Sequence, residues 1–153
     1  AAMALSVTSA GVIHSGEAWG LEAKGLSVGT LATLIQMARD IYPHDKIPDR
    51  NYALAVKGYD IADKAEFIES GIAGMNMVAE AQGHANYLAA GWEEERVRVL
   101  RGIEQTVFFQ TIRAGLVTGL YNQKEVWPLF GYEGESFSQG GYLHRGFDDI
   151  DWL

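Results

Sequence analysis

Apolar residues recur along most of this chain at three- and four-residue steps, the spacing that gathers them on one face of a helix. Ser27 is suited to cap a helix start, and after it Leu31, Leu34, Ile35, Ala38 and Ile41 make a first stripe. Pro43 ends that stripe after Tyr42, because the residue before a proline is pushed out of the helical region. His44, Asp45, Pro48 and Asp49 mark a turn, and Arg50–Ala62 carries a second stripe of Tyr52, Ala55, Val56 and Tyr59. Asp63, with Glu66 three residues on, reads as a capping box for a third helix bearing Phe67, Ile68, Ile72, Met75, Val78 and Ala79. Gly71 and Gly74 lower its propensity by up to about 1 kcal/mol each, and a break into two short helices at Gly74 is the alternative. Gly91–Trp92 opens a fourth unit, with Glu93, Glu94 and Glu95 where the positive end of a helix favours acids and with Val97 and Leu100 as apolar contacts. Ile103–Tyr121 is the most regular run, striped by Val107, Phe108, Ile112, Leu116 and Leu120 and tempered by Gly102, Gly115 and Gly119. With no strand–helix alternation anywhere, the pattern predicts an all-α fold: a compact helical domain over residues 27–121.

Beyond Tyr121 the periodicity is gone, and residues 122–153 read as an extended tail. Residues 127–153 hold seven aromatic side chains and five glycines, so the rings cannot share one amphipathic face. Gly140, Gly141 and Gly146 favour turns. Rings dispersed in this way suit separate pockets, and Trp, Tyr and Phe are enriched in the buried centres of protein interfaces. Two readings stand level: the tail wraps its own helical domain, or it wraps a partner. The interface candidates are Trp127, Phe130, Tyr132, Phe137, Tyr142, Phe147 and Trp152, with Arg145, Asp148 and Asp149 as charged contacts.

Residues 1–26 are an apolar arm followed by a linker. Ala1–Ile13 has no charge and the length of a signal-peptide apolar region, and Gly16 and Ala18 supply the small residues for cleavage after Ala18. A signal remnant and an ordinary apolar arm packed on a protein surface are both open. A membrane span is not expected, since about 20 apolar residues are needed and Glu17 intervenes.

Composition narrows the chemistry. The 153 residues fit one domain, and the net charge of −8 disfavours nucleic acid and anionic membranes as partners. Cysteine is absent, which excludes disulfides, thiolate catalysis and cysteine-held clusters within the chain. His14, His44, His84 and His144 form no metal-binding spacing, and Asp148, Asp149 and Asp151 lack the spacing of a calcium loop. Phosphate-loop and nucleophile-elbow motifs are also missing. The one acid–base constellation is His44–Asp45 beside Tyr42, where a carboxylate is placed to orient an imidazole. It supports an alternative in which the chain is a small helical hydrolase or lyase. The bland account is a turn whose Asp45 accepts backbone N–H bonds and leaves the imidazole exposed.

MARDIYPHD (Met37–Asp45), FFQTIRAG (Phe108–Gly115) and the run from Phe108 through the tail to Leu153 resemble the small, non-catalytic subunit of bacterial flavin-dependent sugar or alcohol dehydrogenases. That is the group of gluconate dehydrogenase subunit 3 and its twin-arginine signal relatives. The resemblance spans Leu26–Leu153. It implies an accessory subunit that binds, stabilises and aids twin-arginine (Tat) export of a periplasmic flavoprotein. FAD is then expected in that partner, with haem in a further c-type cytochrome subunit. It implies no catalytic, cofactor or metal residue in this chain, and membrane association only through the complex. The twin-arginine pair itself does not occur in residues 1–26. A free-standing periplasmic binding module is the remaining alternative.

Overall fold

The computed structural model describes residues 6–7, 13–14 and 24–143. Ser6–Val7 (β1) and Ile13–His14 (β2) pair antiparallel, with Ser6 opposite His14 and Val7 opposite Ile13. Among the described residues five α-helices make the fold: α1 Val28–Ile41, α2 Asp49–Val56, α3 Ala62–Ala81, α4 Glu93–Ile103 and α5 Val107–Tyr121. The all-α expectation is met.

α1 is the central helix. Ser27 caps it, its hydroxyl accepting from the Thr30 N–H, and Tyr42 closes it ahead of Pro43. Leu31, Leu34, Ile35 and Ala38 of its expected stripe are buried and Ile41 is partly so, and Thr30, Ala32, Thr33, Gln36, Met37 and Asp40 are buried around the rest of its circumference. The other four helices pack about it. A helix covered on every side carries polar groups inward, and those groups must find partners there.

Three boundaries differ from the sequence pattern. The Arg50–Ala62 run divides: α2 ends at Val56, a 3-10 turn covers Lys57–Tyr59, and the chain is extended at Ile61. The cause is Asp60, whose buried carboxylate accepts the N–H groups of Lys24, Gly25 and Leu26 at 2.8–3.0 Å and holds the chain out of helix. The N-cap of α3 is therefore Ile61, and Asp63 lies in the first turn instead of capping it. The Ile103–Tyr121 run is likewise cut at residues 104–106, where the Thr106 hydroxyl donates to the Ile103 carbonyl and accepts from the Phe109 N–H. That new start turns Val107 outward, leaving Phe108, Ile112, Leu116 and Leu120 as the buried stripe.

The glycines that weaken helix propensity mostly mark close contacts. A Cβ on Gly119 would come within 2.8 Å of the Ala55 carbonyl oxygen, and one on Gly115 would strike the Tyr59 hydroxyl. These two positions, one turn apart, are the crease in α5 that receives α2 and the turn after it. Gly71 underlies the Phe108 ring, and Gly102 faces Val78. Gly74 differs: α3 continues unbroken through it, and nothing lies within 4 Å of where its Cβ would be.

Candidate functional site

The tail begins as part of the helical domain. Past α5, the Gln123 side-chain amide donates to the Asn51 and Gly119 carbonyls at 2.8 and 2.7 Å, and the Asn51 amide donates back to Gln123 at 2.7 Å. Val126 is buried. A 3-10 turn then spans Trp127–Phe130 and ends on Gly131, whose φ of +73° suits glycine. Trp127 donates its indole N–H to the Tyr121 carbonyl at 2.7 Å, and the Tyr132 ring meets the indole edge-on at 5.2 Å. Phe130 stacks edge-on against His44 at 5.1 Å and lies 5.9 Å from the Tyr121 ring. Phe130 and Tyr132 thus rest one side on their own domain while half of each ring stays exposed.

Beyond Tyr132 the tail leaves that support. A second 3-10 turn, Ser136–Gln139, lies between Gly134 and Gly140–Gly141, all three glycines at positive φ. It presents Phe137 with 93% of its surface exposed, followed by Tyr142 and Leu143 at 74% each. Three aromatic candidates therefore fold back and two project. The other five, Arg145, Phe147, Asp148, Asp149 and Trp152, lie outside the described residues.

The His44–Asp45 pair has a different geometry from an acid–base dyad. The His44 Nε2 lies 2.7 Å from the Tyr121 hydroxyl, and the ring is walled by Tyr121 and Phe130. Asp45 is exposed, and no ion pair joins it to His44 among the described residues. The imidazole is therefore half-buried as a seat for the tail, not left open as the bland reading had it. Burial, followed by the neighbouring Tyr42, pushes the Tyr121 hydroxyl above its usual pKa, so it remains a protonated donor or acceptor across the ordinary pH range.

The main polar centre lies elsewhere, among residues the pattern did not single out. Asp40 of α1 accepts from Arg96 Nε at 2.7 Å and Nη2 at 3.1 Å, from the Tyr87 hydroxyl at 2.6 Å and from the Gln36 amide at 3.0 Å. Arg96 Nη1 also donates to the Ala90 and Gly91 carbonyls at 3.1 and 3.2 Å. All four side chains are buried. Burial, and then the carboxylate beside it, hold the Tyr87 hydroxyl well above its ordinary pKa. For Arg96, burial opposes the charge, but the bonds to Asp40 outweigh it and raise its pKa. The arrangement clasps α1, the Tyr87–Ala89 turn and α4 together, with Asp40 and the Ala90 and Gly91 carbonyls taking up its donors. A signal did exist in the sequence: Arg96 shares a face with Val99, Leu100 and Ile103, so a charge was bound to enter the core. The Gln36 Oε1 is buried without a partner.

Among the described residues no group of three or more His, Asp or Glu is placed to hold a metal ion, and no helix is long and apolar enough to cross a membrane. Comparison of the chain with protein-family models, with curated proteins and with solved structures finds no match.

Proposed function

We propose that this chain is a non-catalytic small subunit that binds and stabilises a larger flavin-dependent sugar or alcohol dehydrogenase of the periplasm and aids its export. The observation that carries the reading is the outward stance of Phe137, Tyr142 and Leu143 on a tail whose root is anchored by Val126 and Trp127. Rings that already stand exposed can enter a partner's pockets without giving up packing within their own domain, which favours their use as anchors. The sequence resemblance supplies the identity of the partner; the surface supports only the binding role. In this reading FAD and the hydride chemistry belong to the partner, with a c-type cytochrome as onward electron acceptor.

The test is the native mass and visible absorbance of the endogenously produced protein. A stoichiometric flavin-bearing polypeptide that co-purifies with the full chain, and is lost when the chain is cut after Glu133, is the expected result. A flavin-free species, or a complex indifferent to the cut, overturns the proposal. So does saturable turnover by the purified chain alone that vanishes in His44→Ala.

A further inference from the structure

On the outer side of α3, Phe67, Ser70, Gly74, Met77 and Ala81 follow one another at steps of three, four, three and four residues. That is the spacing of a seam that meets a second helix. All five are exposed, Met77 at 69%. Among the described residues no element closes over them, although the Phe67 ring meets Phe108 of α5 on one side. Gly74 sits in the middle of the seam with open space above it, whereas Gly71, Gly102, Gly115 and Gly119 each make room for a neighbour inside the fold. A glycine and a serine at successive seam positions let another helix approach closely.

The upper end of the seam opens into a groove of about 460 Å³ between α3 and α5, lined by Asp63, Glu66, Phe67, Ser70, Gly71 and Phe108. The two rings stand edge-to-face at 6.0 Å and form apolar walls, with Asp63 and Glu66 at the rim. Apolar walls with an acidic rim suit a long side chain whose apolar stem lies on the rings and whose charge reaches the carboxylates. Farther along, Glu80 continues the acidic edge, and neither it nor Glu66 makes an ion pair among the described residues. The single base of α3, Lys64, turns away to the Gly58 carbonyl and the Tyr59 ring.

We infer that this face of α3 seats an amphipathic helix of a partner protein, with small or aliphatic residues in its seam and lysine or arginine along its flanks. Charge decides against a second copy of this chain. An antiparallel pair of α3 seams would set Glu66 and Glu80 against the same acids of the other copy, and a net charge of −8 on each chain opposes close pairing in either direction. A basic-flanked helix meets the same edge with opposite charge. The surface lies apart from the tail, and the inference does not rest on the dehydrogenase reading.

The probe is a stapled helical peptide matching the 20 residues of α3 in length, with a leucine–alanine seam and lysine flanks, and a counterpart with glutamate flanks. Fluorescence anisotropy with the full chain is expected to show saturable binding of the lysine peptide and none of the glutamate peptide. Gly74→Leu should weaken binding about tenfold or more, corresponding to about 1.4 kcal/mol, while leaving the fold intact because the site is open. The double change Glu66→Lys and Glu80→Lys should reverse the preference between the peptides. Absence of binding, equal binding of both peptides, or indifference to Gly74→Leu overturns the inference. Self-association of the chain that Gly74→Leu abolishes does so too, by assigning the seam to a second copy.

Discussion

Arg96 and Asp40, 56 positions apart in the chain, meet inside the core through two nitrogens of one and both oxygens of the other. Neither charge reaches solvent, so each depends on its partner for the solvation that burial removed. Asp40→Ala leaves the guanidinium unpaired and is expected to destabilise the fold by about 3–5 kcal/mol. The paired replacement of Asp40 by leucine and Arg96 by methionine should cost far less. Urea denaturation of the single and double variants checks the difference, and equal losses in both would refute the clasp.

Tyr87→Phe keeps the ring and removes one donor to the same carboxylate. The loss should be about 1.5–3 kcal/mol, the usual range for a bond to a charged group. Chemical denaturation at neutral pH measures it, and no loss would mean that the hydroxyl bond contributes nothing.

Asp60 gives the fold an acid-sensitive joint. Burial raises its pKa, but the three N–H donors of Gly25, Leu26 and Lys24 outweigh that and leave it below the ordinary aspartate value of 3.8. A carboxyl with a depressed folded pKa contributes stability that is present above its unfolded value and is lost as pH falls through the folded one. The contribution should therefore be complete at neutral pH and decline as acid takes the medium below 3.8. Asp60→Asn should flatten this acid limb in urea titrations taken at successive pH values. An unchanged limb would place the sensitivity elsewhere.

The helical glycines should separate by sign. Gly119→Ala forces a methyl against the Ala55 backbone and is expected to cost about 1–3 kcal/mol. Gly74→Ala meets open space and should stabilise by up to about 1 kcal/mol through helix propensity alone. Thermal melts of the two variants give the comparison.

Phe137→Ala and Tyr142→Ala should leave the melting temperature unchanged, since both rings are exposed. If they anchor the partner, each costs roughly 2 kcal/mol of binding free energy. Phe130→Ala should do something different: it removes the ring that packs on His44, and hydrogen exchange should rise across the Trp127–Phe130 turn. Unchanged exchange there would mean that His44 does not hold the tail.

The helices were legible where the determinants are local. Ser27, Pro43 and the Glu93–Glu95 cluster act within a turn of their own position, and the structure starts or stops helices at each. The errors fall where a distant residue intervenes. Asp60 draws on the backbone of Lys24–Leu26, so the chain is extended at Ile61, within the run that the stripe carried to Ala62, and α3 is under way before Asp63 could cap it. The candidate tail residues share this division. Their aromatic character is plain from composition, but which rings fold back depends on His44 and Tyr121, 86 and 9 positions before Phe130.

The one-dimensional order of residues, then, determined that the chain is helical and that seven aromatic residues are dispersed through the segment after the last helix, because helix period and turn chemistry are written within a few positions. Tertiary structure alone decided that α1 is enclosed on every side, that Arg96 finds Asp40, that four glycines are contacts and Gly74 is not, and that Phe137 stands clear while Trp127 is held. Those outcomes turn on which surfaces meet in space, and residue spacing carries no record of the distance between separate helices.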